Sequence, residues 1–171
     1  MKTISNLREV LVYYATDLYH AEKQVQIALL KCISQMSAED LKAEVKKYIS
    51  SCQDKIIKLE EVFGDMLVVP ANGGSEVMEK LLSETAEILH QTAPSHLKDA
   101  VFAACIQKIC HYKIAGYGTC AGFATELKLD DPRLAFNTLL GWEVAAEEKL
   151  SFLAIKKLNR RAAEPPLLLD A

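Results

Sequence analysis

The chain lacks the local signatures of most enzyme classes: it has no Cys-x-x-Cys pair, no glycine-rich phosphate loop, no nucleophile elbow and no His-Glu-x-x-His run. It also lacks an excess of positive charge. With 20 Lys and Arg against 23 Asp and Glu the formal charge is -3, too little of either sign to create a broad field for nucleic acid or to indicate an acidic or basic partner. Long apolar runs are missing as well, since charges interrupt every hydrophobic stretch, so neither a membrane span nor a signal-peptide core is expected. These absences point to a cytoplasmic protein. Five cysteines, Cys32, Cys52, Cys105, Cys110 and Cys120, have neither metal-ligand spacing nor the density of a secreted disulfide scaffold. Reduced, they serve as small apolar core residues, with Cys110 the one to follow.

What is present is helix periodicity. The 171 residues are half hydrophobic and a quarter charged, the composition of an ordinary globular domain long enough to bury its own core. From Ile4 to about Met36, Leu7, Leu11, Tyr14, Leu18, Val25 and Leu29 recur every three or four residues, one face of a helix. Ser37 followed by Asp40 resembles a capping box and predicts a second helix through Val45, Ile49, Ile56, Leu59 and Phe63, ending near Gly64. The turn between the two is short enough to force an antiparallel hairpin.

The run Val69-Pro70-Ala71-Asn72-Gly73-Gly74 is turn chemistry. Ser75 then caps a shorter helix, over 75–91, with Val77, Leu81 and Ile88 on its apolar edge, and Thr92-Ala93-Pro94 breaks it. A third long helix runs from Ser95 to about Glu126. Asp130-Asp131-Pro132 opens a fourth, with an N-cap followed by proline at the first helical position, ending near Arg161. No β-strand is predicted. Four long helices with tight first and last connections, and one crossover of about thirty residues holding its own short helix, make an all-α, ferritin-like four-helix bundle. The bundle is expected over residues 1–162, followed by a C-terminal tail, 163–171, that begins around Pro165-Pro166.

Polar residues interrupt the apolar stripes. Glu22 lies among Leu11, Leu18, Val25 and Leu29, and Glu143 and Glu147 lie among Phe136, Leu140, Leu150 and Ala154. A core-facing carboxylate is costly unless paired, protonated or bound to metal. A rotation of one position, about 100°, would instead put a glutamate at the wet edge, and Glu147, beside Glu148, is the most exposed to that alternative. His111 and His20 point away from the stripes, and His90 and His96 flank a proline-containing loop without ligand spacing. Gly116, Gly118 and Gly122 fall inside the third long helix, where they allow close helix contact. Lys46-Lys47 and Arg160-Arg161 are solvated charge pairs.

Three segments carry a resemblance: Tyr-His-Ala-Glu-Lys-Gln at 19–24, Gln-Lys-Ile-Cys-His-Tyr-Lys-Ile-Ala-Gly-Tyr-Gly-Thr at 107–119, and Leu-Ser-Phe-Leu-Ala-Ile-Lys-Lys-Leu-Asn-Arg-Arg-Ala at 150–162. They resemble the YciE/YciF family, ferritin-like bacterial stress-associated proteins without an established activity, over roughly residues 3–162. The resemblance implies a di-metal centre in the family and a divergent site here. Glu22, Glu143 and Glu147 match acidic positions, whereas Ser50 and Gln53 fall where the family has Glu-x-x-His, and Cys110 and Lys113 fall where it has glutamates flanking a His-Tyr pair. Lys113 would then supply the cation's charge from within, since an ammonium donates hydrogen bonds to carboxylates but cannot ligate.

The expectation is a non-enzymatic bundle, possessing neither metal nor other cofactor, that forms a homodimer and engages no nucleic acid or membrane. The alternative is a residual oxidative enzyme holding one iron or manganese ion through Glu22, Glu143 and Glu147, with Cys110 adding redox chemistry.

Overall fold

In the computed structural model, which describes residues 3–164, the chain is helical and has no strand among those residues. Helix α1 spans Leu7–Cys32 and α2 spans Glu39–Asp65. The short α3 covers Glu76–Gln91, α4 covers His96–Glu126, and α5 covers Asp130–Leu153. A π-turn at Ala154–Leu158 carries α5 into a terminal turn, α6, at Asn159–Ala163. The tail expected beyond the bundle falls, from residue 165 onward, outside the described residues.

Side-chain contacts fix the helix directions. Tyr19 meets Glu60 and Gln26 meets Gln53, so α1 and α2 run antiparallel. Gln107 meets Ser151 while Gly118 faces Leu140, so α4 and α5 do likewise. Leu18 packs on Gly116, and Asp40 pairs with Lys157 while Tyr48 reaches Glu143, which makes α1 antiparallel to α4 and α2 antiparallel to α5. Each helix is therefore parallel to the one diagonal to it. Returning the chain from α2 to a parallel α4 requires the long crossover, and α3 packs across α1 and α4 as it makes that return. This is the ferritin-like topology.

Two helix starts differ from the sequence expectation. Ser37 does not cap α2, which begins at Glu39 after a 3-10 turn, Ile33–Gln35, has ended α1 at Cys32 rather than Met36. The cap comes from another helix. Buried Asp99, in the first turn of α4, accepts from the Ser37 amide at 2.8 Å, the Ala38 amide at 3.0 Å and the Ser37 hydroxyl. The carboxylate holds the two amides that lead into the helix and lies at the positive end of its dipole, while the Leu41 amide is met locally by Asp40 Oδ1. Leu129, not an aspartate, is the N-cap of α5, and Asp130 and Asp131 occupy its first turn. Ser75 caps α3 as expected, its hydroxyl accepting from the Met78 amide at 3.2 Å.

The apolar core is in two halves. One gathers Leu11, Ala15, Leu18, Leu59, Phe136 and Leu139; the other gathers Val25, Leu29, Val45, Ile106, Ile109 and Leu150. Between them lies a polar layer to which each long helix contributes.

Candidate functional site: a buried charge layer

Glu22 of α1, Lys55 of α2, Lys113 of α4 and Glu143 of α5 have side chains with no exposure at all. Around the bundle, in the order α1, α2, α5, α4, the charges read minus, plus, minus, plus, so every neighbouring helix presents the opposite sign. The Lys113 ammonium lies 3.0 Å from both Glu22 oxygens and 3.1 Å from Glu143 Oε2. Lys55 donates to Glu143 Oε2 and stands 4.0 Å from Glu22 Oε1. Each ammonium thus spans both carboxylates, and the layer is neutral.

Two tyrosines complete it. Tyr117 donates to Glu22 Oε1 at 2.6 Å and Tyr48 donates to Glu143 Oε1. The Tyr48 ring also lies against both ammoniums, with its centroid 4.7 Å from Lys55 Nζ and 4.6 Å from Lys113 Nζ, within cation–π range. Cys110 donates its thiol to the Tyr48 hydroxyl at 3.4 Å. Among the described residues no buried side-chain nitrogen or oxygen is left without a partner. That completeness is what makes such a layer tolerable, because one missing partner would expose the remaining charge to the full desolvation cost.

Burial and pairing act in opposite directions on these groups. Burial works against the Lys113 charge, yet Glu143 and Glu22 beside it outweigh that effect and hold its pKa well above 10.5. Burial likewise raises the pKa of Glu143, but Lys113 and Lys55, with the hydrogen bonds from Lys55 and Tyr48, bring it below 4.5. Both ions remain charged at neutral pH. Burial, then the adjacent carboxylates, push the Tyr48 and Tyr117 phenols well above 10.0. Burial first, and Glu143 second, push the Cys110 thiol up to about 12, and burial raises Cys52 too. Their thiolates, the nucleophilic and metal-ligating forms, are therefore scarce at neutral pH.

The placement corrects part of the sequence expectation. Glu22, Cys110, Lys113 and Glu143 face the layer, but Ser50 and Gln53 are exposed, and Gln53 pairs with Gln26 at 3.4 Å. The inward row on α2 is Val45, Tyr48, Cys52, Lys55, Leu59 and Val62, in alternating steps of three and four. Lys55 and Cys52 thus stand where Gln53 and Ser50 were expected, a shift of two residues.

Glu147 is also not in the layer. Its side chain, 14% exposed, turns to the α4–α5 edge, accepts from Ser151 and lies 3.4 Å from the Gln107 amide and 3.6 Å from His111 Nε2. A step of four residues from Glu143 overshoots one helical turn by about 40°, enough to reach the edge. His111 is 67% exposed, and His20 donates from Nε2 to the Ala71 carbonyl at 2.8 Å. Both point away from the core, as predicted.

The donor set does not fit a carboxylate-bridged di-metal centre, which takes one Glu from each of two helices and a Glu-x-x-His pair from each of the other two. Glu22 and Glu143 fill the single-Glu role. On the remaining diagonal helices the spacing survives with other chemistry: Cys52-x-x-Lys55 on α2 and Cys110-x-x-Lys113 on α4. Among the described residues no three His, Cys, Asp or Glu side chains are grouped to hold a metal ion.

The comparisons with known proteins place this geometry in context. A family model described as a domain of unknown function, DUF892, matches residues 6–163. The chain is 31% identical to protein YciF of Escherichia coli K12 over 163 residues, 95% of this chain and 96% of that one. It superposes on the crystal structure of the E. coli stress protein YciF with a TM-score of 0.87, covering 92% of this chain and 99% of YciF at 28% identity. YcfI of Rhodopseudomonas palustris superposes with a TM-score of 0.84 at 31% identity, covering 88% and 96%. A Xanthomonas campestris protein shares the fold, with a TM-score of 0.72 at 14% identity over 88% and 92%.

Proposed function

The chain belongs to the DUF892 family, and from that premise we propose that it is a non-enzymatic, YciF-type structural bundle in which two lysine ammoniums have taken the place of two metal ions. The observation that carries this reading is Lys113 Nζ lying within 3.1 Å of oxygens from both Glu22 and Glu143. A divalent ion would meet those oxygens and the two ammoniums together. Displacing the ammoniums would leave them buried and unpaired, at a cost of several kcal/mol each.

The paired Cys-x-x-Lys spacing extends the argument to both halves of the site. On α2 a protonated thiol and a lysine stand in the roles of a Glu-x-x-His pair, and on α4 Cys110 and Lys113 stand where the resemblance puts two glutamates. The layer then ties four helices together at mid-height, a mechanical role that requires no turnover. A structural role has been put forward for the R. palustris relative and a stress association for E. coli YciF, and we carry both to this chain as a bundle that acts through its surface under stress.

The alternative single-metal oxidative enzyme needed Glu147 as a third carboxylate, and that residue serves the α4–α5 edge instead. Metal counting separates the two. Protein purified from cells grown with added iron or manganese is expected to carry far less than one ion per chain and to consume no dioxygen with a reductant. One or two tightly held ions per chain would overturn the proposal.

A further inference from the structure

A groove of about 640 Å³ lies between the first half of α1 and the segment leading from α2 into α3, a volume within the roughly 300–1,000 Å³ of small-molecule sites. Its walls are apolar. Ile4, Tyr13, Val69 and Val77 line it at 48%, 59%, 89% and 51% exposure, a concentration of exposed hydrophobic surface that gains by being covered.

The loop wall is held in place. Gln24 bonds the Ser75 backbone on both sides, accepting from its amide at 3.0 Å and donating to its carbonyl at 3.4 Å, and His20 secures Ala71. The site is thus organised before any ligand arrives.

Its charge has a sign. Among the described residues, Asp17 and Glu76 are carboxylates of the groove wall, and the Arg8 guanidinium donates to the Met66 carbonyl at 2.7 Å. Asp17 is the informative residue. Half-buried, it accepts from the Tyr112 hydroxyl at Oδ2, while Oδ1 receives no hydrogen bond and the carboxylate has no Lys or Arg partner among the described residues. A carboxylate without an ion-pair partner among the described residues, beside a tyrosine face and aliphatic walls, suits a cation with an apolar body: the charge is met by Asp17 and the Tyr13 ring, and the body covers the valines. An anion would be repelled. A neutral apolar molecule would strip water from Asp17 without replacing it.

We propose that this groove binds a small organic cation, an amine or quaternary ammonium carrying an apolar ring or chain, with its charged centre at Asp17 and Tyr13 and its apolar part against Val12, Val69 and Val77. The site is separate from the buried charge layer and independent of its role.

Titration of the full chain, followed through backbone amide resonances, tests it with benzyltrimethylammonium as probe and with benzyl alcohol and phenylacetate as neutral and anionic counterparts. The ammonium should give saturable shifts confined to residues 8–20 and 68–77, and the two counterparts should bind far more weakly. Asp17→Asn keeps an acceptor for Tyr112 but removes the charge, and should weaken the ammonium about fivefold to tenfold. Val69→Lys, at an exposed position that leaves the fold intact, should weaken it as well. Equal binding of the three probes, shifts on another face, or affinities unchanged in both variants would overturn the proposal.

Discussion

At the residue scale the decisive fact is that Glu22, Lys55, Lys113 and Glu143 are useful only as a set. Removing one lysine leaves two carboxylates sharing the other, so Lys113→Ala is expected to cost about 3–5 kcal/mol in urea unfolding. Pairing Lys113→Met with Glu22→Gln should cost less than the sum of the two single changes, because the double variant restores neutrality. The pH dependence follows from the same groups. Glu143 has its pKa depressed on folding, so it stabilises fully above 4.5 and that contribution is lost as pH falls through the folded value. Lys113 and Cys110 have theirs raised, so their contributions are complete below the unfolded values of 10.5 and 9.0 and are lost as pH rises beyond them. Unfolding free energy should therefore show a plateau from about pH 5 to 9 that falls on both sides, and Lys113→Met should flatten the alkaline fall.

Half of this layer was legible in the sequence. Glu22 and Glu143 stand out as charges flanked on both sides by apolar residues at helical spacing, Lys113 was placed with them by the family resemblance, and its expected proximity to the carboxylates holds at 3.0–3.1 Å. Lys55 was hidden by its neighbour. Ile49, Ile56 and Phe63 recur every seven residues and form a plausible stripe by themselves, whereas the helix in fact buries the adjacent row Tyr48, Cys52, Lys55 and Leu59 as well. A lysine one position from a core isoleucine reads as solvated until a buried carboxylate across the bundle demands it. Tyr48 and Tyr117 were missed for the same reason, since an aromatic on an apolar face needs no further explanation until its hydroxyl must be satisfied.

At the scale of elements, periodicity together with cap and break residues located α1 to α5, while the start of α2, which depends on another helix, was misjudged. The α2 start rests on Asp99, 61 residues from Ala38 in sequence, and no local pattern encodes such a cap. The glycines of α4 divide in the same way. A Cβ on Gly116 would stand 2.8 Å from a methyl of Leu18, whereas one on Gly122 would meet nothing within 4 Å. Close approach of α1 to α4 thus depends on Gly116 and not on Gly122. Gly122→Ala should raise stability by about 0.5–1 kcal/mol through helix propensity. Gly116→Ala should lose that gain to overpacking against the buried Leu18 and lower stability by about 1 kcal/mol. Thermal unfolding of the two variants side by side would check the difference in sign.

For the whole molecule, the alternating layer at mid-height gives each pair of neighbouring helices an attraction that diagonal helices lack, and this specifies which helices sit side by side. The outer faces remain partly apolar, with Trp142, Phe152 and Ile155 of the α5 side 39%, 65% and 69% exposed. A closed two-fold homodimer is the expected assembly, and light scattering giving a monomer mass throughout the micromolar range would contradict it. The central claim, that ammoniums stand in for metal ions, is tested most directly by thermal unfolding of the purified protein with chelator and with excess manganese or ferrous iron. A native metal site filled to a hundred times its dissociation constant would add about 2.7 kcal/mol and raise the midpoint by several degrees. The account predicts the same midpoint in all conditions, and a metal-dependent rise would contradict it.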